Sequence, residues 1–284
     1  MELEMRGAPV AKALGAKLAE RVGRLADEGV VPTLAMIRVG DRPDDLTYER
    51  AATKRCEGLG MAVRRVVLHQ DCAQEELLGA IREANSDPSV HGCLLFRPLP
   101  EHLDEAQACE ELAFQKDVDG VTRASSFGVY ASQSLGFSPC TAEACVCLLD
   151  HYDVALDGAR VTVVGRSLVI GRPVAMLLQA RDATVTLCHS HTVDLAGACR
   201  EADVIVVATG RPNTLRPEHV RPGQVVVDVG INWDEENQRL VGDVDFEGIA
   251  PIVRAITPVP RGVGSVTTAV LAEHVVRAAE RSVR

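Results

Sequence analysis

Residues 159–180 read ARVTVVGRSLVIGRPVAMLLQA, and their pattern decides the fold. A β-branched run is followed by the glycine turn GRSLVIGRP, then by the helix-period segment VAMLLQAR, and ATVTLC at 183–188 reads as the next strand. Strand, turn, helix and strand within about thirty residues is the βαβ unit of a dinucleotide-binding fold. Gly165 permits the tight turn, Gly171 lets helix and strand approach, and the helix amino terminus offers unpaired N–H groups to a pyrophosphate. The spacing is not GxGxxG, so by itself the turn also fits a plain βα connection.

The residues just beyond the second strand sharpen the reading. Cys188, His189, Ser190 and His191 stand where NAD-specific folds usually carry a carboxylate for the ribose hydroxyls. Without that charge nothing repels a 2′-phosphate, and Arg166 and Ser190 supply a positive charge and a hydroxyl to it. NADP is expected ahead of NAD.

Outward from this unit, strand-like runs and helix-period segments alternate along the whole chain, the α/β signature. Residues 31–40, 62–68 and 90–96 read as strands, and 8–28, 46–58, 74–85 and 104–113 as helices. Further on, 203–209 and 224–230 join 159–165 and 183–188 as runs expected to be buried on both faces, as parallel strands are. A last amphipathic helix spans 266–281. The expected fold is therefore α/β in two domains: an amino-terminal α/β domain over 1–141 and a Rossmann-type domain over 142–265. The segment 266–284 is expected to pack back on the first, with a ligand cleft between the two.

Composition limits the partners. The 284 residues are 46% hydrophobic and 25% charged, with 30 basic against 40 acidic side chains and a formal charge of −10. An acidic chain with nine Phe, Trp and Tyr residues does not suit a nucleic-acid groove, which needs basic and aromatic surface together. No secretory signal and no run of roughly 20 apolar residues is found, so a cytoplasmic protein without membrane contact is expected. The nine cysteines form no CxxC framework and read as reduced thiols. Cys145 and Cys147, two apart on a helix, face different ways, and no metal site is expected.

Seven motifs follow one another in order: KDVDG (116–120), SPCT (138–141), VVGRSLVIGRP (163–173), ATVTLCHSHT (183–192), DVGIN (228–232), GDVDF (242–246) and ITPVPRGVG (256–264). As an ordered set the chain resembles the methylenetetrahydrofolate dehydrogenase/cyclohydrolase family. The resemblance implies a homodimer that binds a tetrahydrofolate one-carbon substrate beside the nicotinamide of NADP or NAD. It assigns Gly165, Arg166, Ser167, Ser190 and Ile231 to the dinucleotide, alongside Gly171. To the folate it assigns Tyr48, Pro98, Leu99, Pro100, Asp119, Pro260, Gly262, Val263 and Gly264. Tyr48 and Asp119 are the candidate catalytic residues, and the Asp119 carboxylate suits the paired N–H groups of an aminopyrimidinone ring.

The chain departs from the family pattern on one helix. The family carries a tyrosine, a catalytic lysine four residues later and a second lysine two further on; here the sequence reads Tyr48-Glu-Arg-Ala-Ala52-Thr-Lys54. Counted back from Gly60, Ala52 takes the catalytic position and Lys54 the second, which is turned about a third of a circle off the tyrosine's face. The glutamine that partners the lysine is Phe96. Smaller departures are Asp45, Ala142, Ala144, Arg261 and Ser265. Hydride removal leaves a cationic methenyl bridge and needs alignment but no base, whereas hydrolysis of that bridge is general acid–base work. The expectation is a dehydrogenase whose cyclohydrolase activity is weak or lost, acting with a separate cyclohydrolase. The alternatives are a bifunctional enzyme in which Lys54, Arg97 or a histidine has taken over, and a catalytically silent folate- or nucleotide-binding regulator.

Overall fold

The computed structural model describes residues 3–283. In chain order the first half holds β1 (Leu3–Glu4), α1 (Gly7–Asp27), β2 (Thr33–Val39), α2 (Pro43–Gly58), β3 (Ala62–Leu68), α3 (Gln74–Ser86), β4 (Gly92–Leu95), α4 (Glu105–Glu111) and α5 (Arg123–Tyr130). The second half begins with α6 (Cys140–His151), β5 (Arg160–Val164), α7 (Gly171–Gln179), β6 (Thr184–Cys188), α8 (Leu195–Glu201) and β7 (Val204–Val207). It continues with β8 (Val225–Asp228), β9 (Asn232–Asp234), β10 (Arg239–Val241), α9 (Phe246–Ile249), β11 (Ala255–Ile256) and α10 (Thr267–Ser282).

The chain forms two compact units. The first comprises residues 13–140 and 268–284, the second residues 1–12 and 141–267. This places the opening residues differently from the sequence reading of 1–141 as one domain. β1 pairs in parallel with β11, Leu3 opposite Ala255 and Glu4 opposite Ile256. Two residues are too short to show a strand period, so nothing in the sequence announces this pairing.

In the first unit three parallel strands lie in the order β3-β2-β4. β2 is central, and Leu34 through Val39 are all buried, which suits its apolar run. Its Ile37 and Val39 pack with Leu77, Leu78 and Ile81 of α3 and Leu95 of β4, each worth roughly 1.5–3 kcal/mol of burial. α10 belongs to this unit: Glu280 on it takes a two-pronged hydrogen bond from Arg21 of α1 at 2.7 and 2.8 Å.

In the second unit six parallel strands lie in the order β1-β11-β8-β7-β5-β6. β7 and β8 are fully buried, and β5 is buried after Arg160, as expected for β-branched strands covered on both faces. β6 corrects the sequence reading. It is an edge strand with Thr184, Thr186 and Leu187 exposed, so its threonine-rich alternation marks a strand with one open side.

Candidate active site

The turn between β5 and α7 is shaped by its backbone. Gly165 has φ +123°, and a Cβ there would overlap the carbonyl oxygen of Ala208 at the end of β7. A Cβ on Gly171 would overlap the Gly165 carbonyl, so the chain doubles back on itself at van der Waals contact. Ser167 Oγ accepts from Ile170 N at 3.1 Å and Gly171 N at 3.3 Å, capping the start of α7. The N–H groups of Arg166 to Val169 donate no hydrogen bond among the described residues, and these side chains are exposed. That leaves a concave run of donors and one arginine at a helix amino terminus, a chemistry that fits a pyrophosphate. Gly165 N donates to Cys188 O at 2.9 Å, which sets the ends of β5 and β6 side by side. Ser190 and His191 are exposed just beyond, and the His189 and His191 rings stand 6.0 Å apart.

The loop after β8 is locked by two buried aspartates. Asp228 accepts from Gly230 N, Asp243 N and Val244 N at 2.9–3.0 Å. Asp243 accepts from Thr209 N, Thr209 Oγ1, Gly210 N and Asn232 Nδ2. Burial pushes the Asp228 carboxyl up to about 7, against the pull of those N–H groups. The lock holds Ile231, 64% exposed, on the rim of a cavity of about 340 Å³ that Pro260, Gly262, Val263 and Gly264 also line. One predicted dinucleotide residue and four predicted folate residues thus share one cavity.

In the first unit the two aspartates of KDVDG do different work. Asp117 is wholly buried and accepts from Val121 N, Thr122 N and Ser125 Oγ at 2.6–2.9 Å, which commits it to the turn. Asp119 is partly exposed and accepts from the thiol and backbone N–H of Cys140. Burial raises its pKa, while those bonds and the Arg97 charge pull it down. Arg97 Nη1 also lies 3.5 Å from Glu105 Oε1. The Pro98-Leu99-Pro100 segment is tied by two bonds: Arg42 Nη1 donates to Pro98 O at 2.8 Å and Leu99 N donates to Glu105 Oε2 at 2.9 Å.

α2 carries the remaining positions. Pro43 and two acidic residues open it, and Gly60 closes it at φ +81° with Met61 N bonding back to Cys56 O, a glycine-terminated end that fixes the count along the helix. Tyr48 is partly exposed and meets the buried Phe96 ring edge-on at 6.3 Å. Ala52 is 0% exposed, whereas Lys54 is exposed. Burial also raises the pKa of Asp45, one turn before Tyr48, with the Arg42 charge opposing it. Beneath the helix the buried Arg38 donates to Glu49 Oε2 at 2.7 Å, and Arg65 Nε stands 3.5 Å from Glu49 Oε1. Sequence reasoning named neither Glu49, Glu105 nor Arg42 as a brace, because single charges on helices and loops look solvated until their partners are known.

Comparison with known proteins accounts for both units. Residues 5–119 match the catalytic domain described as tetrahydrofolate dehydrogenase/cyclohydrolase, and residues 139–283 match the NAD(P)-binding domain of the same name. The chain belongs to the tetrahydrofolate dehydrogenase/cyclohydrolase family. It is 48% identical over 281 residues to the bifunctional protein FolD of Carboxydothermus hydrogenoformans, covering 99% of this chain and 98% of that one. The crystal structure of the bifunctional enzyme FolD from Campylobacter jejuni superposes with a TM-score of 0.94 at 39% identity, covering 98% of each chain. The Trypanosoma brucei dehydrogenase-cyclohydrolase, solved with NADP and an inhibitor, gives 0.92 at 35% identity, covering 99% of this chain and 98% of that one.

The two solved structures carry both activities in their names and the Carboxydothermus relative is named bifunctional, so the expectation of a weak or lost cyclohydrolase finds no support in them. They favour the bifunctional alternative over the single-activity reading. Family membership establishes the two-domain α/β architecture with a Rossmann-type NAD(P)-binding domain. Among the described residues no helix is long and apolar enough to cross a membrane.

Proposed function

We propose that this chain oxidises 5,10-methylenetetrahydrofolate with NADP, and that it carries the hydrolytic step named in its relatives without a lysine at position 52. The observation that carries the first part is the β5–α7 turn, whose exposed N–H groups and Arg166 suit a dinucleotide phosphate in a chain whose family binds NAD(P). When bound, the nicotinamide accepts a hydride from the one-carbon bridge. The chain's own task in that step is alignment. Arg166 and Ser190 meet the 2′-phosphate, and Asp119 accepts the paired N–H groups of the folate ring. The family resemblance assigns Pro98 to Pro100, and separately Pro260 to Gly264, to the same ligand. None of these residues has to move a proton, which agrees with the loss of an ammonium beside a bridge that becomes cationic.

Hydrolysis makes a different demand: water adds to the methenyl carbon, loses a proton, and one bridge nitrogen takes a proton as its bond to carbon breaks. With alanine at 52, we assign the cationic role in this step to Arg97, whose charge acts on Asp119. A second reading, dehydrogenase alone with a separate cyclohydrolase, is favoured by one feature. Ala52 and Phe96 are both buried and apolar, so neither position leaves a polar side chain without a partner.

A product-resolved assay separates the readings. Methylenetetrahydrofolate and NADP are mixed with the protein, and methenyl absorbance is followed apart from reduced nicotinamide. Reduced nicotinamide without lasting methenyl product fits the two-activity proposal; equal accumulation of both fits the dehydrogenase alone. No reduced nicotinamide from folded protein sinks both.

A further inference from the structure

The carbonyl oxygen of Val118 belongs to the same peptide unit as the backbone nitrogen of Asp119, and two buried side chains converge on it. His274 Nδ1 of α10 lies 2.8 Å away and the Cys140 thiol 3.3 Å away. A carbonyl only accepts, so the imidazole carries its proton on Nδ1. The ring is wholly buried and tilted against Phe137 at 5.0 Å between centroids. Phe137 in turn lies under the guanidiniums of Arg277 and Arg281, at 4.9 and 4.8 Å. His274, Arg277 and Arg281 are three and seven residues apart on α10 and share one face, so the helix presents imidazole and both cations to the same aromatic ring.

We propose that His274 is a positioning residue for folate recognition: its Nδ1–H fixes the plane of the Val118–Asp119 peptide and thereby the direction in which the Asp119 carboxylate meets the aminopyrimidinone edge. Asp117 anchors the same turn from inside, through Val121, Thr122 and Ser125. The turn is held from two sides, and Asp119 is left to face the ligand. The inference rests on the assignment of Asp119 to folate made above.

The experiment uses the full chain and four proteins: parent, His274→Leu, His274→Asn and Asp119→Ala. Asparagine places an amide N–H where the imidazole has its Nδ1–H. Loss of one such bond in His274→Leu raises the KM for methylenetetrahydrofolate about three- to tenfold. The KM for NADP and kcat stay within about twofold, because binding in the ground and transition states weakens alike. His274→Asn returns the folate KM to near the parent value. Equal damage in the leucine and asparagine variants, or a change in both KM values together, overturns the proposal. An unchanged folate KM in His274→Leu while Asp119→Ala raises it overturns the positioning role alone. An unchanged folate KM in Asp119→Ala removes the assignment of Asp119 and the proposal with it. Nitrogen NMR of the parent gives a check that no variant has to fold for: a proton on Nδ1 of His274 is expected, and a proton on Nε2 only is fatal.

Discussion

In the turn between β5 and α7 the groups that matter are backbone N–H groups, held by glycines that no other residue can replace without overlap. On α2 they are side chains on a helix that is closed by Gly60 and braced by Arg38 and Glu49, neither of which involves position 52. The first kind of site cannot lose its chemistry without losing its shape. The second can exchange its chemistry while the fold stays intact.

The sharpest way to break the contrast is at Gly165. Replacement by valine forces a β-branched residue to φ +123° and into the Ala208 carbonyl, a strain of about 1–3 kcal/mol before any clash is counted. Dehydrogenase kcat/KM for NADP is expected to fall by at least about a hundredfold, mostly through KM, because the turn no longer matches the pyrophosphate. Dinucleotide titration by intrinsic fluorescence or calorimetry checks it. Binding at the parent affinity would show that the phosphate lies elsewhere.

On α2 the corresponding test adds chemistry instead of removing shape. Ala52→Lys alone places a long side chain at a wholly buried position, and overpacking is expected to cost about 1–3 kcal/mol with little gain in activity. Ala52→Lys with Phe96→Gln makes room and supplies the hydrogen-bonding partner. Hydrolysis of supplied methenyltetrahydrofolate is expected to rise at least about a hundredfold, at the low end of what a positioned acid or base contributes. No rise would mean that another group already moves the proton.

The same contrast explains what the sequence made readable. The β5–α7 turn was legible because its strand, glycines and helix are consecutive and each obeys a local rule. The edge position of β6 was not, since strand order is decided by pairing at a distance. DVGIN and GDVDF could be recognised as motifs, yet that Asp228 of one caps the backbone of the other follows only from the β9–β10 hairpin folding them together. The hairpin strands are three residues each and largely open to solvent, too short for a period. Helix α5 carries no strong apolar stripe and was likewise unread. His274 gave no signal at all, because its partner is 156 residues away.

The aspartate lock yields a smaller effect, visible in stability. Asp228 has a folded pKa of about 7 against an unfolded value near 4, so between those values the folded state keeps a proton that the unfolded state has lost. Stability therefore falls as pH rises from about 4 to about 7 and is level above that, by up to about 4 kcal/mol. Asp45 and Asp119, also raised by burial, add to the same slope. Asp87 runs the opposite way: its bonds from Ser89 and Arg64 hold it at about 2, so its contribution is lost only as pH falls below the usual carboxylate range. Denaturant midpoints measured from pH 5 to 8 are expected to decline. Asp228→Asn should flatten the decline while lowering all values, because an amide turns one donor toward the Val244 N–H. A midpoint that rises over this range would mean that the N–H groups outweigh burial and keep Asp228 ionised.

The smallest expected effect separates the two views of α2 most directly. Lys54 is the lysine nearest in sequence to the vacated position, and its stem is long enough to invite the idea that it reaches back. The helix argues otherwise. Six residues from Tyr48 correspond to about 240° of rotation, which turns Lys54 away from the tyrosine's face, while Ala52, four residues on, stays within about 40° of it. Burial follows that rotation, with Ala52 enclosed and Lys54 open to water. To serve the folate bridge, the ammonium would have to leave water, cross a third of the helix circumference, and settle beside Phe96, which offers no hydrogen bond to orient it. Lys54→Ala is therefore expected to leave hydride transfer and hydrolysis each within about twofold of the parent, as exposed substitutions usually do. If hydrolysis disappears in this variant and hydride transfer does not, Lys54 is the displaced base, and the helix face drawn from Gly60 backwards is wrong.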